Sequence, residues 1–153
     1  MKRALSILAL AAALALPSCH GDSGPTAPEQ RPLELSGSWH GDVHFKSPVS
    51  FYYDDGSCPD QPVTVSIHQQ DLAIGGTIRA DCVTAQFEAT IGPSLRVASG
   101  TATQNVGGIS YTATLTLNPV IQNGQVTQMG GSTTPFTSST GGQRDSIVLT
   151  LSR

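Results

Sequence analysis

From Ser36 onward, apolar and polar positions alternate with a period of two, the pattern of strands with one buried face. Trp39, Gly41, Val43 and Phe45 fall on one side of the first such stretch, and His40, Asp42, His44 and Lys46 on the other. Val49, Phe51 and Tyr53 alternate with Ser50 and Tyr52 up to a turn at Asp54-Asp55-Gly56-Ser57. Val63, Val65 and Ile67 then alternate with polar residues, and Leu72, Ile74, Gly76 and Ile78 continue in phase. A turn at Gln70-Asp71 sets Ile67 against Ile74, Val65 against Gly76 and Val63 against Ile78, all inward. A one-residue slip would turn one arm inside out.

Further along, Gly92-Pro93-Ser94 divides a pair in which Ala85, Phe87, Ala89 and Ile91 face Leu95, Val97, Ser99 and Thr101. Val106-Gly107-Gly108 breaks the chain again. Ile109, Tyr111, Ala113, Leu115 and Leu117 follow as the inward set of the next strand. Asn123-Gly124 is a strong hairpin signal, because both residue types tolerate positive φ. The small, polar, glycine-rich run from Ser132 to Gln143 reads as a mobile loop, and Ile147, Leu149 and Leu151 form a last strand before Arg153. No segment after Pro17 has a helical period. Eight or nine short strands with one apolar face each must fold on themselves. The expectation is all-β, a single antiparallel meander β-barrel of about eight strands, with a β-sandwich as the alternative.

The N-terminal stretch follows another pattern. Lys2-Arg3 precede an apolar run of 13 residues, Ala4 to Leu16, which ends at Leu16-Pro17-Ser18-Cys19. That run is too short to cross a hydrocarbon core, which takes about 20 residues. A basic start, a short apolar run and small residues at its end read as an export signal. Leu16-Pro17-Ser18-Cys19 resembles the lipobox of bacterial lipoproteins. The resemblance implies cleavage before Cys19 and acylation of its thiol. It also implies that His20, standing where an aspartate would favour the inner membrane, points to the outer one. The expected organisation is signal peptide 1–18, lipidated cysteine and flexible tether 19–35, and barrel 36–153. The tether carries Gly21, Gly24, Pro25, Pro28 and Pro32, too little apolar surface to offset its ordering entropy.

Processing changes the charge. Without Lys2 and Arg3, six basic residues face 11 acidic ones, a net charge of −5 with His neutral. No Lys/Arg run remains, which argues against a nucleic-acid partner. With Cys19 committed to lipid, Cys58 and Cys82 are an even pair in an oxidising compartment. Cys58 precedes one arm of the Val63–Ile78 hairpin and Cys82 follows the other, so both emerge at one end, about one residue from direct opposition. A disulfide between them is expected.

Gly37-Ser38-Trp39 opens the first strand and Arg153 follows the last. This looks like the calycin (lipocalin-like) pattern, in which a Gly-x-Trp packs under an arginine from the final strand. The resemblance implies a barrel closed by Trp39 and Arg153. In a barrel with an even number of strands, the first and last run antiparallel side by side, which brings these two residues together.

Candidate chemistry is sparse. His40-x-Asp42-x-His44 places ligand types on one strand face about 7 Å apart. A pair of them with His68 from a neighbour is the best ligand-like set, although a solvated outer face explains them as well. Asp54, Asp55 and Asp60 around Gly56 could offer oxygens to calcium but match no EF-hand spacing. Glu88 and Arg96 suggest a cross-strand ion pair. No nucleophile elbow, HExxH motif or phosphate loop is present, so the expectation is no enzyme, no cofactor and no metal. Two functions follow: an envelope interaction or scaffold module with a filled barrel, or a lipocalin-like binder of a small apolar ligand. The expected partners are the membrane, through the lipid on Cys19, and either such a ligand or an envelope protein.

Overall fold

A computed structural model describes residues 33–47, 58–94 and 96–153, and every regular element among them is a strand. In chain order these are β1 (Gly37–Lys46), β2 (Gln61–Gln70), β3 (Ala73–Ala80), β4 (Val83–Ile91) and β5 (Ala98–Val106). They are followed by β6 (Ile109–Gln122), β7 (Gln125–Thr133), β8 (Phe136–Ser138), β9 (Gln143–Arg144) and β10 (Ser146–Ser152). Each of β1 to β6 pairs antiparallel with the next, β6 pairs with β7, and β10 lies between β7 and β1. The ring is therefore a closed, eight-stranded antiparallel meander barrel, the expected fold, with β8 and β9 as additional short strands.

The seam falls between β1 and β10, where Gly41 opposes Leu151 and Val43 opposes Leu149. A Cβ on Gly41 would overlap the Thr150 carbonyl, so the bare backbone lets the two strands close. The expected mobile loop between Ser132 and Gln143 is half strand. Phe136 opposes Arg144, and Ser132 opposes Val148 in the same register, so β8 and β9 extend the β7–β10 hairpin. Pro135, which lacks an N–H, interrupts the ladder. There the Thr134 hydroxyl accepts from the Thr114 backbone N–H at 3.0 Å, and the Thr134 N–H returns to the Thr114 carbonyl. Phe136 anchors the extension in the core at 1% exposure.

Trp39, Val65, Ile78, Leu115 and Leu149 meet inside the ring with Phe87 and Met129, all nearly or wholly buried. Burial of each such side chain contributes roughly 1.5–3 kcal/mol relative to exposure. Alternation on β1, β2, β4 and β6 follows the sequence pattern. Two registers do not.

In the β2–β3 hairpin the turn is Asp71-Leu72, with Asp71 at φ 55, and Ile67 opposes Gly76 while Val65 opposes Ile78. The shift from the expected partners is two residues, so every inward face is preserved. On β5 the shift is three residues, from Ile91 opposite Leu95 to Ile91 opposite Ala98, and an odd shift exchanges the faces. Ala98, Gly100, Ala102 and Gln104 point inward, and Ser99 and Thr101 point out. The cause is crowding: β4 and β5 approach so closely that a Cβ on Gly100 would overlap the Glu88 carbonyl. Small residues take the inner positions, and Val97 stays in the loop, 37% exposed, its carbonyl accepting from Gly92. The predicted strand around Phe51 lies outside the described residues.

Candidate functional site

Three regions carry the polar residues of interest: the two ends of the barrel and its outer wall. At the first end, the start of β1 meets the end of β10. Extending their register by one step sets Arg153 opposite Trp39. The Arg153 guanidinium carbon lies 4.4 Å from the Trp39 ring centroid. Its Nη2 donates to the Ser36 carbonyl at 2.8 Å and the Glu34 carbonyl at 3.2 Å. The Trp39 indole N–H donates to the Leu35 carbonyl at 2.9 Å. Gln69, at the end of β2, accepts from the Leu35 N–H at 2.8 Å and donates to the Leu33 carbonyl at 2.7 Å. Leu35 is fully buried. The packed residues therefore reach back to at least Leu33. The Ser36 hydroxyl and backbone N–H donate to the Glu34 carboxylate and hold its pKa below the usual value, with a smaller contribution from Arg153.

At the second end, Cys58 and Cys82 are disulfide-bonded, with Cα atoms 6.0 Å apart. They are not ladder partners. Cys58 lies in the chain before β2, and Cys82 lies in the β3–β4 turn beside Gln61. The Gln61 side chain accepts from the Asp81 N–H at 2.8 Å and the Cys82 N–H at 3.4 Å, and so satisfies the turn. Sequence reasoning missed both glutamines. The available signal was polar residues in the inward phase of β2, at either end of Val63-x-Val65-x-Ile67.

The His40, Asp42 and His44 set does not gather into a metal site. The His40 ring sits between the hydroxyls of Ser38 and Thr64, each at 3.3 Å. His44 Nδ1 meets Asp60 at 2.7 Å, with both side chains well exposed. His68 is farther along β2, its ring over Gly75. Among the described residues no group of three His, Cys, Asp or Glu side chains could hold a metal ion. Asp54 and Asp55 lie outside the described residues, as does Cys19. The expected Glu88–Arg96 pair is not formed: Glu88 stands between Gly75 and Thr101, while Arg96 sits in the loop before β5.

On the outer wall a groove of about 620 Å3 crosses β2 to β5. Outward Ser66, Thr77, Gln86, Thr101 and Thr103 line it, with His68 and Glu88 to one side. Ser66 opposes Thr77, Thr77 opposes Gln86, and Gln86 opposes Thr103, so the hydroxyls and amide form a row across four strands. On the next strand the row continues, Thr103 facing Thr112 and Thr101 facing Thr114. Such a wall offers donors and acceptors with little charge. It has hydrogen-bonding capacity but no nucleophile–base pair. Compared with known proteins, the chain matches no family model, no curated protein and no solved structure.

Proposed function

We propose that this chain is a lipid-anchored protein of the bacterial cell envelope, most simply of the outer membrane, and that it acts as an interaction module through the outside of its barrel. One observation carries the reading. The inward positions are occupied along the ring by the protein's own side chains, from Trp39 and Leu35 at one end to Phe136 and Ile147 toward the other. An eight-stranded barrel is just wide enough for side chains to fill it. The groove across β2 to β5 lies on the outer wall, where a polar partner can reach the Thr77 and Thr101 hydroxyls. Anchoring rests on the lipobox-like Leu16-Pro17-Ser18-Cys19.

Native mass spectrometry of protein purified from its own envelope tests the reading. The expected result is an acylated chain bound to a macromolecular partner, with capture lost on Thr101→Arg while the melting temperature holds. A stoichiometric small apolar ligand released only on unfolding would replace this reading with the lipocalin-like one.

A further inference from the structure

The large apolar side chains that remain exposed are not scattered. Among the described residues they are Leu72, Val97, Ile109, Val120 and Ile121. Four of these belong to one end of the barrel. Leu72 is in the β2–β3 turn, Val97 in the β4–β5 loop, and Val120 and Ile121 near the tip of the β6–β7 hairpin. Each of the four is between 37% and 44% exposed. Ile109 alone lies at the opposite end, in β6 just after the β5–β6 turn. β5 pairs with β6 only as far as Ala98 opposite Leu117, so Val120 and Ile121 stand beyond the start of β5.

The four-residue end is also the one where the chain enters the barrel. Leu33 to Ser36 are fastened there by Gln69, Trp39 and Arg153. Fourteen positions separate Cys19 from Leu33. The disulfide end lies a further strand of eight to ten residues away, about 27–34 Å, so the chain leading from a lipid on Cys19 meets the entry end of the barrel first.

We infer that this end is apposed to the lipid surface, with Leu72, Val97, Val120 and Ile121 entering the interfacial layer. The inference rests on the lipid anchor proposed above. Among the described residues, the charged side chains here, Arg96 and Arg153 against Glu34 and Asp71, balance. Apolar contact rather than headgroup charge therefore carries the association. The grooved outer wall stays turned toward the periplasm or the medium.

The test uses the full-length acylated protein in phosphatidylethanolamine/phosphatidylglycerol vesicles containing lipid brominated near the top of the acyl chain. Ile121→Trp, with Val120→Trp as a second variant, should show blue-shifted emission and loss of intensity to bromine. Ile109→Trp and the wild type, whose Trp39 is buried, should show neither. The loss at position 121 should persist when phosphatidylglycerol is replaced by phosphatidylcholine. Equal quenching at positions 109 and 121, or none at 121 and 120, overturns the inference. Flotation and fatty-acid labelling at Cys19 report the anchor separately. A labelled, floating protein without quenching at 121 and 120 rejects this orientation alone, and an unlabelled, non-floating one rejects the anchor and the orientation with it.

Discussion

The two ends of the barrel solve the same problem by different means. Each holds a loop segment against the ring through a β2 glutamine, Gln69 at one end and Gln61 at the other. Each also sets an arginine against an aromatic ring, Arg153 over Trp39 and Arg144 over Tyr111, the second at 5.7 Å. The difference lies in the remaining bonds. Among the described residues the entry end has no covalent link. Its fasteners join positions far apart in the chain, such as Arg153 with Ser36 and Gln69 with Leu33. The opposite end carries a disulfide over a sequence separation of 24. One end depends on the folded state to bring its partners together, and the other restricts the unfolded chain as well.

Trp39→Ala should have the largest effect. It removes the indole at the centre of the entry-end network, and truncating a buried aromatic costs about 3–5 kcal/mol. Denaturant unfolding measures the loss. Hydrogen exchange locates it, with the Leu35 amide losing protection before the Asp81 amide at the other end. Uniform loss at both ends would show that the ends are one cooperative unit rather than two separate closures.

Replacing Cys58 and Cys82 together by Ala should cost roughly 3–4 kcal/mol in the chain-entropy model. Exchange should then rise first at Asp81 and Cys82, with Leu35 still protected. Free thiols on the unreduced exported protein would remove the covalent half of the comparison.

Arg153→Ala should have the smallest effect. The guanidinium is exposed, and a cation–π contact at an exposed site contributes about 0.5–1 kcal/mol. The Trp39 emission should shift as the ring loses its cover. An unchanged spectrum and midpoint would leave Trp39 and Gln69 as the parts that hold Leu33 to Ser36.

Much of this was legible along the chain. The inward faces of β1, β2, β4 and β6 follow directly from alternation, because residues two apart on a strand share a face whatever the strand pairs with. The Asn123-Gly124 turn, with φ of 51° and 77°, follows from residues that tolerate positive φ. The disulfide followed from which cysteines remained after Cys19. Cys58 and Cys82 were nevertheless expected almost opposite one another, and they meet instead through the chain before β2 and a turn.

What the sequence by itself determined was therefore local: the strand character of the chain, the Asn123-Gly124 turn and the inward faces of β1, β2, β4 and β6. Tertiary structure decided what depends on a partner. The two-residue shift between β2 and β3 kept every face inward, so alternation could not distinguish the two registers. Ser99 and Thr101 on β5 offered no strong apolar phase, and the close approach of Glu88 to Gly100 settled it by excluding larger side chains from the inner positions. Gln69 and Arg153 became fasteners only when ring closure brought them to Leu33 and Ser36. A period of two is a property of one strand. Register, crowding and closure are properties of two or more, and their energies exist only once the chains of contacts have formed.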